Sequence, residues 1–167
     1  VRWDMSAFLH LTDPTIPRNE GCYRPFTIIA PPGTIVNCSF PAPVAGGNTE
    51  TSPRITDMVF GALQHAIPDR VAAACGGTSS PFLFGGTDPR TGEPYAHFHF
   101  EGVGWGGRRG LDGNNMVVTI NGNCRNTPVE VFETRYPAFR IESYRLIADS
   151  GGPGEFRGGL GGERVFT

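Results

Sequence analysis

His97-Phe98-His99-Phe100-Glu101-Gly102-Val103-Gly104-Trp105-Gly106-Gly107-Arg108-Arg109-Gly110-Leu111-Asp112-Gly113 is the stretch on which the reading of this chain turns, and it runs on to Asn121-Gly122-Asn123-Cys124-Arg125-Asn126. It opens as a strand. Side chains alternate at period two, so His97, His99 and Glu101 share one face and Phe98 and Phe100 the other. The chain then enters a glycine-dense turn carrying Trp105, Arg108, Arg109 and Asp112, where backbone without Cβ atoms can take positive φ and approach a neighbour closely. Polar groups on a strand leading into such a loop are one way that sites are built. They are equally the way an ordinary hairpin ends.

Outward from this centre the pattern is β-rich. Candidate strands are 71–75, 81–84, 95–103, 116–120, 129–132 and 140–147, with Arg164-Val165-Phe166 strand-like near the end. They are separated by Gly-Gly, Asn-Gly and Asp-Pro-Arg-Thr-Gly turn chemistry. Before them, Val1 to Asn19 reads as irregular, 26–30 and 34–38 as short strands around Pro31-Pro32-Gly33, and Phe40 to Gly47 as a loop. One helix is clear, over about 52–67. Ile55, Met58, Val59, Ala62, Leu63 and Ala66 recur at the helical period as one apolar face. Ser52 is a natural N-cap, Pro53 suits the first turn, and Pro68 closes the element. These elements predict an α+β domain with a mainly antiparallel sheet or barrel and one amphipathic helix.

Composition bounds the function. At 167 residues the chain reads as one domain, residues 1–167, and 18% charged with 11% aromatic residues argues for a packed globular protein. A net charge of −2 gives no basic excess, which speaks against nucleic acid or an anionic membrane surface as partner. No apolar run approaches a membrane span and no signal peptide is visible, so the expected location is the cytoplasm. The start at Val1 rather than Met, together with 24 glycines and 15 prolines, predicts a piece of something larger or a chain packed against something larger. Cys22, Cys38, Cys75 and Cys124 form no C-x-x-C pair and are expected as free thiols. Cys75 reads as a buried small hydrophobe; Cys124, in the polar centre, is the one to watch as a nucleophile, although no histidine adjoins it.

The stretches 31–37, 47–57, 125–137 and 150–161 together resemble the hydantoinase B/oxoprolinase family: the B-type subunits of N-methylhydantoinases, the matching half of 5-oxoprolinase, and the related subunits of acetone and acetophenone carboxylases. Pro31-Pro32-Gly33-Thr34-Ile35-Val36-Asn37 resembles its PPGS-type motif. Gly47-Asn48-Thr49-Glu50-Thr51-Ser52-Pro53-Arg54-Ile55-Thr56-Asp57 is similar to its GNxETSxRIxD helix start. Arg125-Asn126-Thr127-Pro128-Val129-Glu130-Val131-Phe132-Glu133 with Arg135-Tyr136-Pro137 resembles its NTPVEVLE-x-x-YP signature. Ser150-Gly151-Gly152-Pro153-Gly154 with Arg157-Gly158-Gly159-Leu160-Gly161 resembles its SGGxGxxRGGxG stretch. The resemblance implies a portion of a longer B-type subunit in a hetero-oligomer. It implies ATP and Mg²⁺ handled on an A-type partner subunit, and a divalent metal (Zn²⁺ or Mn²⁺) whose ligands lie in the earlier part of family chains, outside this sequence. It also implies a small cyclic amide or ketone as substrate.

Among the residues, Glu101 is the first candidate for a catalytic role, as general base or as a carboxylate that orients the loop, and Glu50 is the second. Asn48 and Glu50 adjoin a helix N-terminus that can hold an anion, or else simply cap that helix. Arg108 and Asp112, with Asn126, are candidates for holding a substrate carboxylate or phosphate, although a turn with solvated arginines has the same sequence. His97 and His99 have the chemistry of metal ligands, and also the pattern of a half-solvated strand. The Glu50 and Glu101 neighbourhoods are expected to converge on one cleft, at the mouth where the central strand meets its glycine loop. Three readings follow: part of an ATP-dependent cyclic-amide hydrolase opening a hydantoin, 5-oxoproline or lactam ring; part of an acetone-type carboxylase; or a non-catalytic scaffold within such a complex.

Overall fold

In the computed structural model, which describes residues 2–120, 122 and 124–167, the elements run α1 (Arg2–Thr12), α2 (Glu20–Tyr23), a π-helical turn (Gly47–Thr51), α3 (Ser52–Leu63), β1 (Pro81–Thr87), β2 (Pro94–Phe100), α4 (Val129–Arg135), β3 (Ile141–Leu146) and β4 (Gly162–Phe166). β1 pairs antiparallel with β2, and β3 with β4, as two separate two-stranded sheets. The fold is α+β with antiparallel pairing, as expected; the barrel alternative fails, because the described strands close no barrel.

A lone two-stranded hairpin is marginal in water and needs a packed face. Here both hairpins find one in the same aromatic cluster, built around Phe132 of α4, which is 2% exposed. Phe84 of β1 lies 5.9 Å from Phe132 and 4.5 Å from Phe139, ring centre to ring centre. Phe166 of β4 stacks on Phe82 at 5.2 Å and meets Phe132 at 5.5 Å. Tilted and edge-on ring pairs at these separations add to the area they bury.

Several expectations are corrected. Val1 to Asn19 contains α1, and 129–132 is the start of α4 rather than a strand. Val129-Glu130-Val131-Phe132-Glu133 alternates as a strand would, but Pro128 sits at the N-cap, Glu130 in the first turn and Arg135 in the last. Those charges complement the helix dipole, and Val131 is exposed while Phe132 is buried. No strand forms at 26–30 or 71–75; Thr34 and Asn37 close only a turn, and Val117 only a bridge to Val103. The helix at 52–67 ends at Leu63. Its buried residues are Pro53, Thr56 and Phe60, whereas Met58, Ala62 and Ala66 face outward. The face expected to pack is therefore only partly covered, with Ile55, Val59 and Leu63 half-buried; α1 lies against α3, and Asp57 is drawn to the backbone of Cys75.

The glycine-rich stretches form a packed layer. Backbone hydrogen bonds run from Ala73 N–H to Gly107 O (2.9 Å), Trp105 N–H to Asn114 O (3.0 Å), Gly113 N–H to Arg157 O (2.8 Å) and Gly159 N–H to Trp105 O (2.7 Å). The chains approach so closely that a Cβ at Gly106 would strike the carbonyl of Ala73, and one at Gly159 the carbonyl of Asn114. Only glycine permits this approach. Gly152, in the same Ser150–Gly154 run, has open space at its Cβ position. Gly159→Ala should cost about 1–3 kcal/mol or more by overpacking, while Gly152→Ala should stay within about 0.5 kcal/mol. Denaturant unfolding of the two variants checks this.

Candidate functional site

β2 presents its imidazoles inward. His97 stands opposite Phe84 and His99 opposite Phe82 in the hairpin register, so both rings enter the aromatic cluster, while Phe98 on the other face is 51% exposed. This reverses the half-solvated reading, in which the histidines would have been the wet side. His97 lies 4.8 Å from Phe84 and 5.3 Å from Phe132, ring centre to ring centre, and its Nδ1 shares a 2.7 Å hydrogen bond with the Tyr136 hydroxyl. Its Nε2 is sealed from solvent and has no hydrogen-bond partner among the described residues. Burial first, and then the positive fields of His99, Arg135 and Arg164, hold the His97 pKa below its ordinary value.

Next to it is a charged node. His99 Nε2 is 2.9 Å from Glu101 Oε1, and Arg164 Nε is in ionic contact with the same oxygen at 3.0 Å. The Arg164 side chain is 3% exposed. Its guanidinium carbon lies 3.9 Å from the centre of the Tyr144 ring, within range of a cation–π interaction, and its Nη2 donates to Asn126 Oδ1 at 3.2 Å. The Tyr144 hydroxyl lies 3.4 Å from Glu101 Oε2 and 3.2 Å from Asn126 Oδ1. A carboxylate engaged on both oxygens by a cation, an imidazole and a phenol is held firmly in place, which is what a buried charge requires.

Glu50 is joined to this node through one short segment. Its carboxylate accepts from the Thr78 hydroxyl (2.7 Å) and from Ser79 N–H (3.3 Å). The Ser79 carbonyl in turn accepts from Glu101 N–H at 3.2 Å. Ser79, itself 2% exposed, thus links the two residues through its backbone. Asn48 lies apart, exposed on a cleft of about 640 Å³ with Ile35, Val44, Thr51 and Ile55. Arg108 and Asp112 are also apart. Arg108 closes a turn by exchanging backbone hydrogen bonds with Leu111, and Asp112 accepts from Arg157 N–H at 3.0 Å, fastening the glycine layer. His99, Glu101 and Asn126 are therefore one cluster, with His97 beside them.

As a metal centre the pair His97–His99 lacks support. One nitrogen of each is engaged by a neighbour, and among the described residues no three His, Cys, Asp or Glu side chains are arranged to hold an ion. All four cysteines are free. Cys75 is not the purely apolar packing residue expected: its Sγ lies 3.1 Å from Thr119 Oγ1 and 3.4 Å from Asp57 Oδ2. Cys124 is exposed. Arg164, Tyr144 and Tyr136 were missed in the sequence. A signal for Arg164 was present, since period two places it on the same face as Phe166 in the Arg164-Val165-Phe166 strand.

The lowered pKa of His97 carries a sign. The unfolded chain takes up a proton near the ordinary value of 6.5, whereas the folded chain resists until lower pH, so stability is lost as pH falls through that window. Replacing His97→Gln removes this site, and its stability should fall less steeply below pH 6.5 than the parent's, as read by denaturant unfolding across pH.

Comparison with known proteins places this geometry in a family. The chain is 47% identical over 160 residues to an uncharacterized protein of Methanocaldococcus jannaschii, covering 96% of this chain and 27% of that one. It is 36% identical to the B component of a putative D-/L-hydantoinase from a Pseudomonas species (90% of this chain, 25% of that one) and 36% identical to the beta component of the caprolactamase of Pseudomonas jessenii (87% and 26%). It therefore spans about a quarter of the length of these relatives. A solved acetone carboxylase in its nucleotide-free state superposes with a TM-score of 0.72 at 22% identity, over 99% of this chain and 22% of that one, which is a likeness of fold. The hydantoinase B/oxoprolinase family model matches residues 4–167, and the chain belongs to that family.

Proposed function

We propose that this chain is part of a B-type subunit that, together with an ATP-using A-type subunit, opens a small cyclic amide. One observation carries the reading. Hydantoin and caprolactam, the rings that name two of the relatives, are different compounds that share a ring amide. The carboxylase reading rests on likeness of fold alone. In the proposed assembly, ATP and Mg²⁺ act on the partner, which activates the amide by phosphorylation, and a divalent metal is held by ligands outside these residues. The work is cytoplasmic.

The role of this portion follows from how its carboxylates are used. Glu101 is engaged by Arg164, His99 and Tyr144, and Glu50 by Thr78 and Ser79. A general base needs an oxygen free to reach the substrate proton, so both act as positioning residues that hold the wall of the site rather than as proton carriers. This favours the scaffold reading for these residues within a catalytic whole. The test is reconstitution of the B-type protein with its A-type partner and ATP. Ring opening of hydantoin, 5-oxoproline or caprolactam that requires both proteins and ATP is expected. Consumption of acetone with bicarbonate, and of no cyclic amide, would move the assignment to the carboxylases.

A further inference from the structure

One segment of the chain is built unlike the rest. Residues 25–49 contain no charged side chain and no histidine in 25 successive positions. Most of this arm crosses the surface without helix or strand until the π-helical turn at Gly47. Its large apolar side chains point into solvent: Ile35 is 85% exposed, Val44 71% and Phe40 99%, with Ile29 close behind. Single exposed apolar residues need no explanation, but a continuous uncharged set marks a surface that something covers.

The arm keeps its shape without being packed. Gly33, at φ +80°, donates its N–H to Asn37 O (2.8 Å), and Asn37 N–H returns to Thr34 O (3.0 Å). Asn37 Nδ2 donates to Ala30 O (2.7 Å), and the Thr34 hydroxyl to Pro31 O (2.8 Å). A segment ordered by its own turns loses little freedom on docking. The family's Pro31-Pro32-Gly33 motif is then the device that presents Ile35 and Val36.

We infer that this arm docks against the remainder of the same B-type polypeptide, by burying Ile29, Ile35, Phe40 and Val44 in an apolar groove of that remainder. The inference rests on the B-type reading proposed above. One observation selects this occupant over the A-type protein or a second copy, and another marks the contact as permanent. The chain spans only 25–26% of the hydantoinase and caprolactamase relatives, which leaves about three quarters of such a chain to pack around it. Interfaces that open and close keep charged and polar groups at their rim, whereas permanent contacts, within a chain or between obligate subunits, resemble a domain core cut in two. An arm with no charge from 25 to 49 is of the second kind.

The experiment uses the assembled B-type protein with its partner. Phe40 is replaced by the photo-crosslinker p-benzoylphenylalanine; light and ¹⁵N-labelled preparations are mixed, irradiated, digested and analysed by mass spectrometry. Crosslinks from Phe40 to B-type peptides outside the segment, light to light and heavy to heavy, are expected. The native thiol of Cys38, exposed on the arm, supplies a measurement without substitution: its alkylation should slow at least tenfold in the assembly relative to the 167-residue chain alone. Crosslinks to the A-type protein, crosslinks of mixed label, or no crosslink with freely alkylated Cys38 would each overturn the inference. Turnover measured on the same preparation separates the two proposals, since ring opening without B-type crosslinks sinks only the docking, and B-type crosslinks without ATP-dependent ring opening sink only the function.

Discussion

The contact between Glu101 and Arg164 is the one on which the rest of the arrangement depends. Glu101 follows β2 and Arg164 lies in β4, so a single ion pair ties together two hairpins that belong to separate sheets. Its strength comes from its setting rather than from its charge. A surface pair of this kind contributes about 0–1 kcal/mol. Arg164, 3% exposed, lies against Tyr144 with Nη2 on Asn126, while its Nη1 has no hydrogen-bond partner among the described residues, and Glu101 is also met by His99 and Tyr144; removing Glu101 alone would therefore strand a buried cation.

The family stretches acquire physical meanings from this frame, and most of those meanings concern shape. Glu50 and Asp57, from the helix-start stretch, both reach the 75–79 segment, one at Thr78 and Ser79 and the other at Cys75. In the Asn126–Glu133 stretch, Asn126 closes the charged node, Phe132 fills the aromatic cluster, and Glu133 accepts from Ile141 N–H at 2.8 Å to start β3. The glycines of 151–161 let backbone lie on backbone beside Trp105. Each stretch fixes one piece of backbone against another, as a wall for chemistry supplied elsewhere must do.

What was legible in the sequence follows the range of the interactions. The α3 helix, the strands near 81–84 and 95–103 and the terminal strand were visible because period and turn chemistry are local signals. The facing of α3 was not, because Phe60 and Thr56 are buried and α1 lies against the helix, a partner that the helix's own pattern does not name. The same limit hid the inward turn of His97 and His99: polar residues at period two are read as wet unless their partners, Tyr136 and Arg164, are known. Asn126 and Glu101 were picked out separately and found together. Arg108 and Asp112 were picked out together and found fastening a turn and the glycine layer. Helix α4 was lost to a short alternation that serves strand and helix alike.

The most direct test of the central contact is a double-mutant cycle with Glu101→Gln and Arg164→Met, read as unfolding free energies. Each single change leaves one buried charge unpaired and should cost about 3–5 kcal/mol. The double variant leaves none and should cost no more than either single change. If the two losses simply add, the residues do not act as a pair, and the two hairpins are held together by the aromatic cluster alone.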